Sequence, residues 1–167
     1  LYRDFLLKSC VLKGQGNALM YPDPYMRTSG DIDIWCQIRP EASADAGQTD
    51  VQTQRKHYFW TVDPEIAKLI KIARQQDKQG EISYHHIELN VMKTPVELHF
   101  FPSFMGNIVH EKRLRRWFDD HKDEQFRNMV QLPDGLGTIC IPTNSFNVVF
   151  QLSHLMHHFF FEGIGLR

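Results

Sequence analysis

Cysteine is scarce in this sequence. Only Cys10, Cys36 and Cys140 are present among 167 residues, and no Cys-x-x-Cys pair occurs. An odd number of widely spaced cysteines argues against a disulfide-stabilised scaffold and against a cysteine-based zinc knuckle. We therefore expect three reduced thiols that pack as small apolar side chains, which predicts a cytoplasmic protein.

Long apolar runs and an excess of charge of one sign are also missing. No run approaches the ~18–20 residues that a membrane-spanning helix needs, and no basic segment with an apolar leader opens the chain. Lys and Arg number 19 against 20 Asp and Glu, which gives a net charge of −1. The sequence thus predicts neither a membrane protein nor a secreted one, nor a coat protein for nucleic acid.

The remaining composition is that of a folded protein. Hydrophobic residues make up 42% of the chain, enough for a buried core in one domain, or in one domain and the start of a second. The first residue is Leu1 and not Met, so we expect a trimmed piece of a longer chain. Strand and helix signals alternate, which predicts an α/β or α+β fold that becomes more helical after about residue 106.

Local patterns place the elements along the chain. The segment 40–62 is polar and lacks periodicity, so we expect an exposed or flexible insertion there. We predict strands at 10–12, 31–36, 82–91 and 96–101, the last two as a hairpin, and helices after Gly16, Asp63, Asn107 and Pro142, the last one ending at Gly163.

Two aspartates in a strand are the strongest chemical signal. Asp31 and Asp33 alternate with Ile32 and Ile34, so we expect both carboxylates on one face of the strand. Aspartate is unfavourable in strands, and two neighbouring negative charges repel each other. A divalent cation removes that repulsion, and a few hard oxygen ligands suit Mg²⁺. A solvated strand face is the alternative reading of this pattern.

A third carboxylate comes from the second strand of the predicted hairpin. The alternation there directs Glu97 and His99 away from the apolar side chains, so Glu97 can join the two aspartates. Three acids on adjacent strands can hold two Mg²⁺ ions, which clamp the attacking and leaving oxygens of a phosphoryl displacement. Glu88 on the first strand of the hairpin is the competing candidate for this place.

A glycine turn follows the first predicted strand. Lys13-Gly14-Gln15-Gly16 precedes a predicted helix, and glycines allow backbone N–H groups to approach a phosphate closely. The turn lacks the Gly-Lys-Ser/Thr end of a Walker motif, and Leu19 stands where a dinucleotide motif needs its third glycine. A purely structural turn is the alternative. Lys13 and Arg27 can balance charge on a phosphate, or they can form ion pairs that stabilise the fold.

Histidines and a basic run allow further readings. His154, His157 and His158 lie three and four residues apart on a predicted helix, where they can form a polar face, line a cleft or, least in keeping with the spacing, bind catalytic zinc. The adjacent His85 and His86 should point to opposite faces of a strand. The basic run at Lys112, Arg113, Arg115 and Arg116 predicts either a solvated helix face or a docking patch for a nucleic acid such as tRNA.

Several motifs together resemble a known family. Their order along the chain is similar to that of the DNA polymerase β-like nucleotidyltransferase superfamily and, more narrowly, of a bacterial family of uncharacterised nucleotidyltransferases. The end of the chain, from His154 to Arg167, resembles a downstream helix of that family. The motifs that carry the resemblance are Leu12-Lys13-Gly14, Tyr21-Pro22-Asp23-Pro24, Arg27, Gly30-Asp31-Ile32-Asp33-Ile34 and Val96-Glu97-Leu98-His99.

The resemblance implies a fold, a reaction and a set of site residues. The fold would be a minimal nucleotidyltransferase fold, a short mixed sheet flanked by helices, with a catalytic core in 1–105 and a helical, truncated C-terminal part in 106–167. The reaction would be Mg²⁺-dependent transfer of a nucleoside monophosphate from an NTP such as ATP to an acceptor hydroxyl, with release of pyrophosphate. Asp31, Asp33 and Glu97 match the metal ligands of the family, and Gly14 and Gly16 match its triphosphate-binding turn.

The acceptor and the catalytic competence stay open at this stage. The acceptor can be a small molecule, a protein side chain or a tRNA end, because no motif identifies it. A nucleotide-binding regulatory module without catalysis is the alternative function. Gln15, at a position where the superfamily usually has glycine or serine, favours that alternative, whereas the three retained acids favour an enzyme.

Overall fold

The computed structural model describes residues 7–28, 30–39 and 63–163, without the side chains of 161 and 162. The predicted insertion 40–62 and the end of the chain from 164 onward lie outside the described residues. The elements are β1 (Leu7–Val11), α1 (Gln15–Ala18), β2 (Ile32–Ile38), α2 (Pro64–Gln76), β3 (Glu81–Ile82), β4 (His86–Val91), β5 (Thr94–His99), α3 (Ile108–Gln125), β6 (Met129–Gln131), β7 (Thr138–Cys140) and α4 (Asn144–His157), with short 3₁₀ turns at Pro24–Met26 and Pro133–Gly135 and a π-helical turn at His158–Glu162.

A mixed five-stranded sheet organises the described residues. Its strand order is β1-β2-β5-β4-β3, and β6 and β7 form a separate two-stranded ribbon. β2 and β5 run parallel, whereas the other neighbouring strands of the large sheet are antiparallel. The parallel pair sets Asp33 directly opposite Glu97. The predicted α+β fold with a short mixed sheet and flanking helices is confirmed.

The two-residue alternation of the strands gives the sheet two different faces. One face carries Leu98 and Ile87 and packs against the apolar side of α2 at Leu69 and Ala73. The other face carries Trp35, which lies in a cluster with aromatic residues of α3 and α4. Asp33 precedes Trp35 by two residues and therefore shares its face. The polar site residues thus lie on the side of the sheet that α3 and α4 approach.

The predicted helix boundaries follow from capping side chains. The Asp63 carboxylate accepts hydrogen bonds from the first turn of α2, and the Asn107 side chain does the same for α3. Both residues satisfy backbone N–H groups that have no partner within the helix. Gly163 ends the helical segment that begins with α4, and its φ of 76° lies in the left-handed region that glycine adopts most easily.

The hairpin differs from the predicted one at three places. A short β3 and a bend at 83–85 precede β4, so the predicted strand 82–91 is divided in two. β5 runs from Thr94 to His99 instead of from 96 to 101. The connection is a two-residue turn of Met92 and Lys93, which have φ values of 53° and 67°. Two positive φ angles match the twist of an antiparallel hairpin, although neither residue is a glycine or an asparagine.

None of the helices in the described part of the chain combines the length and the apolar character that crossing a bilayer requires.

The Lys93→Gly variant should be more stable than the wild type by about 1 kcal/mol, because glycine adopts a positive φ without the steric cost that other residues incur. Urea unfolding monitored by circular dichroism measures the difference. Lys93→Ala is the matched control, since it removes the same side chain but keeps a Cβ at the strained position. A gain of equal size in both variants would show that the turn conformation is not the cause.

Candidate active site

The register between β2 and β5 brings two of the predicted acids together. Asp33 and Glu97 are direct partners across the parallel strands, and both side chains lie on the same face of the sheet. Asp33 is 2% exposed, an unusual burial for a carboxylate that is retained only when the charge is compensated. Glu97 is partly exposed. The two carboxylates therefore form the centre of a polar cluster with one buried and one accessible member.

Asp31 does not lie in the strand, and the prediction that places it there is wrong in this detail. β2 begins at Ile32, whose pairing with Val96 is the first of the parallel ladder, so Asp31 occupies the bend before it. Its carboxyl group nevertheless forms a hydrogen bond with Glu97. The structure thus brings Asp31, Asp33 and Glu97 together. Asp31 comes from the bend before β2, whereas Asp33 and Glu97 come from the paired strands, so alternation along one strand does not account for the group.

The carboxyl groups of Asp31 and Glu97 lie close enough to shift each other's pKa. Burial raises the pKa of Asp31, and the hydrogen bond to Glu97 and the negative charge of Asp33 raise it further. The pKa of Glu97 is lowered, mainly by its hydrogen bond with His99. Asp31 is therefore the more readily protonated member of the pair. Carboxyl groups that approach closely enough to share a proton can also share a cation.

His99 joins the two opposing carboxylates. Its Nε2 lies 3.1 Å from Oδ1 of Asp33 and 3.1 Å from Oε2 of Glu97, and the ring is completely buried. Burial lowers the pKa of His99, but the hydrogen bonds and charges of the two carboxylates outweigh this effect, so the pKa is raised overall. The Nε2–H group thus donates to acids on both strands and fixes their relative position.

Lys13 supplies the second positive charge at the cluster. Its Nζ is 2.7 Å from Oδ1 of Asp33 and 3.3 Å from Nε2 of His154. Lys13 stands at the entrance to the predicted glycine turn, directly after β1. The ion pair therefore connects the turn to the floor of the site, and the amine remains partly exposed on the side of the turn. An anion bound at the turn would therefore lie close to the positive charge of Lys13.

The glycine turn has the conformation that its sequence predicts. Gly14 has a φ of 45° and a ψ of −102°, which few residues other than glycine adopt. The Nε–H group of Arg27 donates to the Gly14 carbonyl oxygen over 3.1 Å. A Cβ at Gly16 would lie 2.9 Å from the Val11 carbonyl oxygen, so glycine is needed there for α1 to approach β1. The structure therefore gives Arg27, Gly14 and Gly16 definite roles in shaping the turn.

Gln15 lies between the two glycines, and its side-chain oxygen has no hydrogen-bond donor among the described residues. Its Oε1 is buried and accepts no hydrogen bond within the described residues. Such an atom costs free energy unless a ligand or water satisfies it. Lys13 and Gly14 form a turn that leads into α1 at Gln15 and Gly16, and Lys13 connects this turn to Asp33.

A polar stripe on α4 borders the same turn. Nδ2 of Asn147 donates to Oδ1 of Asn17 over 3.0 Å, and one turn later Gln151 donates to Asn147. His154 then contacts Lys13, and its Nε2 lies 2.8 Å from Nε2 of His158. Of the readings considered for this stripe, the geometry favours one in which it lines the cleft. His157 departs from it and stacks against Phe104.

Two histidines near β4 complete the surroundings, and their predicted orientation is wrong. His85 lies in the bend before β4 and not in the strand, so it does not alternate with His86. Nε2 of His85 and Nδ1 of His86 are 3.3 Å apart, and both rings lie about 5 Å from the ring of His99. The sequence patterns miss this group. The signal that identifies His99 is its position two residues after Glu97.

Glu88 is separate from the three acids. It is largely exposed and contacts His86, whose Nε2 lies 3.4 Å from its Oε1. A cavity of about 440 Å³ lies along this side of the sheet, where Asp31 and Glu97 meet Glu88 and Glu81. The cavity gives a ligand access to the acidic cluster from solvent. Glu97, and not Glu88, is thus the acid that the fold brings to Asp31 and Asp33.

The donor set fits a hard divalent cation. Asp33, Glu97 and His99 each offer a ligand atom within 4.8 Å of the others, and Asp31 adds a further oxygen through its contact with Glu97. Mg²⁺ prefers a few carboxylate oxygens and keeps room for water or phosphate oxygens. Asp31 and Glu97 line the open cavity, and the buried Asp33 lies opposite Glu97 on the neighbouring strand. They are the residues that would hold such an ion.

The comparison with protein families agrees with this geometry. The model of a family described as uncharacterised nucleotidyltransferase matches residues 7–167, and the chain belongs to this family. NTP-dependent nucleotidyl transfer is the class of reaction that membership indicates. No curated protein and no solved structure matches the chain significantly.

The pH dependence of stability should reveal the buried His154. Burial and the charge of Lys13 lower the pKa of His154 from 6.5 to about 4, so the unfolded chain takes up this proton first as the pH falls. The free energy of unfolding should therefore decrease between pH 6.5 and pH 4. In His154→Gln this decrease should be shallower, as urea unfolding at a series of pH values in EDTA would show.

Gln151→Ala is the control for this experiment, because it removes a polar contact one turn earlier on α4 without removing a titratable group. Its pH profile should run parallel to that of the wild type. Parallel profiles for all three proteins would contradict the assignment of a neutral, buried imidazole to His154.

Proposed function

We propose that this chain catalyses Mg²⁺-dependent transfer of a nucleoside monophosphate from an NTP to an acceptor hydroxyl, with release of pyrophosphate. The observation that carries the proposal is the convergence of Asp31, Asp33 and Glu97 beside the glycine turn, in a chain that belongs to a nucleotidyltransferase family. The acceptor oxygen forms a bond to the α-phosphorus, the bond from this phosphorus to the β-phosphate oxygen breaks, and the hydroxyl proton passes to solvent.

The three acids would bind the metal ions, and His99 would position two of these acids. Asp31, Asp33 and Glu97 would hold two Mg²⁺ ions. Bound Mg²⁺ would neutralise phosphate charge and lower the pKa of the acceptor hydroxyl. His99 keeps Asp33 and Glu97 at a fixed separation through its bifurcated contact, so the carboxylates are positioned before substrate arrives.

The glycine turn would bind the triphosphate. The backbone of Gly14 would approach the phosphate oxygens, because glycine has no side chain to keep them away, and Gly16 would support the turn by allowing α1 to pack against β1. Lys13 would place its charge beside the leaving pyrophosphate while it stays near Asp33. Arg27 binds the Gly14 carbonyl and would act by holding the turn in shape, which supports a positioning role in place of the direct phosphate contact expected from the sequence.

The proposal names classes, and not single compounds, for the nucleotide donor and for the acceptor of the nucleoside monophosphate, and it includes a cellular location. ATP is among the candidate donors, and the acceptor can be a small molecule, a protein side chain or tRNA. Lys112, Arg113 and Arg116 are exposed on α3 and leave a nucleic-acid patch open, whereas Arg115 stacks on Phe101. The free cysteines of the described chain support a cytoplasmic location.

The Asp33→Asn variant should lose at least about 10³-fold in nucleotidyl transfer, because one cation ligand becomes neutral while the side-chain shape is retained. The assay follows α-³²P from each of the four NTPs into product, with small hydroxyl compounds, RNA and the protein itself as acceptors. Glu88→Gln is the matched control, since Glu88 is the register partner of Glu97 on β4 but is largely exposed and forms its ion pair with His86. This variant should keep near wild-type activity.

Two outcomes would contradict the proposal. Labelled product that forms equally well with Asp33→Asn would show that the three acids are not the catalytic centre. Mg²⁺-dependent NTP binding without any transfer, measured by calorimetry on the wild type, would instead favour a nucleotide-binding regulatory module. Thermal unfolding of each variant shows whether lost activity reflects lost folding.

A further inference from the structure

Three histidines form a second cluster beside the three acids. His85 comes from the bend before β4, His86 opens that strand, and His99 ends β5 as the register partner of His86. One nitrogen of each ring lies within 4.8 Å of a nitrogen of the other two. All three residues are half-buried or buried. Two strands and a bend therefore bring three imidazoles to one point.

The nitrogen positions in this cluster have the spacing of metal ligands. Nε2 of His85 and Nδ1 of His86 are 3.3 Å apart. Nitrogen atoms at ~2.0–2.1 Å from a tetrahedral zinc ion lie roughly 3.3–3.4 Å from each other. A hydrogen bond between the two rings also accounts for this distance, but it leaves the other nitrogens of the cluster unexplained.

A further nitrogen of the cluster is the independent evidence for a ligand. Nδ1 of His99 is buried and has no hydrogen-bond partner within the described residues. An imidazole nitrogen without a partner in the interior is unfavourable. The Nε2 atom of His99 contacts Asp33 and Glu97. A histidine that donates one N–H to a carboxylate and leaves its other nitrogen free has the arrangement common among metal-binding histidines.

The surrounding charges favour a cation at this cluster. Oε2 of Glu97 lies 3.9 Å from Nδ1 of His86, and Oε1 of Glu88 lies 3.4 Å from Nε2 of the same ring. The other close histidine pair, His154 and His158, has the ammonium group of Lys13 beside it, which repels a metal ion. The two histidine groups thus differ in the charge of the neighbouring side chains, which is negative beside His86 and positive beside His154.

We propose that His85, His86 and His99 bind one transition-metal ion of the zinc class, at a site distinct from the Mg²⁺ ligands Asp31, Asp33 and Glu97. Imidazole nitrogens select such ions, whereas Mg²⁺ requires oxygen ligands. His99 connects the two sites, because its Nε2 contacts Asp33 and Glu97, so occupancy of the histidine site would fix the ring that positions these two acids. The proposal does not depend on nucleotidyl transfer, because binding is its direct consequence.

The test is calorimetric titration of the wild type with Zn²⁺ in a buffer that contains millimolar Mg²⁺, so that the carboxylates are already occupied. We expect a single equivalent of Zn²⁺ to bind. His85→Phe should weaken binding about tenfold or more, because it removes a ligand while it keeps an aromatic ring against Phe104. His158→Gln is the control and should bind Zn²⁺ as the wild type does.

Several results would overturn the site. They are no saturable Zn²⁺ binding by the wild type, unchanged binding by His85→Phe, or loss of binding in His158→Gln. Co²⁺ provides a readout that needs no variant. An intense visible absorption of the wild-type Co²⁺ complex supports four-coordinate nitrogen ligation, whereas the weak spectrum of an octahedral oxygen complex contradicts it. Thermal unfolding of His85→Phe verifies that the variant is folded.

Discussion

The parallel pairing of β2 with β5 is the interaction on which the rest of the site depends. It is the only parallel pair in the described sheet, and it sets Asp33 opposite Glu97 on a face that also carries His99. A buried carboxylate such as Asp33 is unfavourable without compensation, and here Lys13 from the turn after β1 and His99 from β5 provide it. Each neighbouring element thus supplies one partner to the same buried group.

The two faces of the sheet explain why such a polar group is tolerated. The face toward α2 carries most of the apolar side chains that pack against that helix, so it supplies hydrophobic stabilisation. The opposite face has an aromatic cluster around Trp35 at one end and the acids and histidines at the other. The polar end adjoins solvent through the cavity beside Glu97. The apolar side chains that stabilise the sheet and the polar side chains of the candidate site therefore lie on opposite faces of the sheet. On the face that carries the site, the aromatic and polar side chains lie at different ends.

The sequence predicted those features that depend on local periodicity. Alternation identified the faces of β2 and β5, and Asp63 and Asn107 marked helix starts because capping requires only neighbouring backbone groups. Alternation also suggested that Glu97 can join Asp31 and Asp33, with Glu88 as a competitor, and the family resemblance favoured Glu97. Alternation failed where the chain bends, at Asp31 and at His85, since a bend resets which face a side chain occupies.

The histidine contacts could not be predicted in the same way. The approach of His85 to His99 depends on the register of β4 and β5 and on the bend at 83–85, neither of which local periodicity determines. The contact between Lys13 and His154 joins residues 141 positions apart, and it requires the packing of α4 over the sheet. Side chains whose partners are distant in sequence carry no local signal of that partnership.

The sequence separation within the acidic cluster has a consequence for how the protein folds. Asp33 and His99 are 66 positions apart, so their contact requires closure of a long loop before the parallel strands can pair. Such pairing slows folding, and it cannot be lost without opening the centre of the sheet. The backbone amides of β2 and β5 should accordingly exchange with deuterated solvent only when the whole sheet opens. The cation site therefore forms only in the completely folded chain.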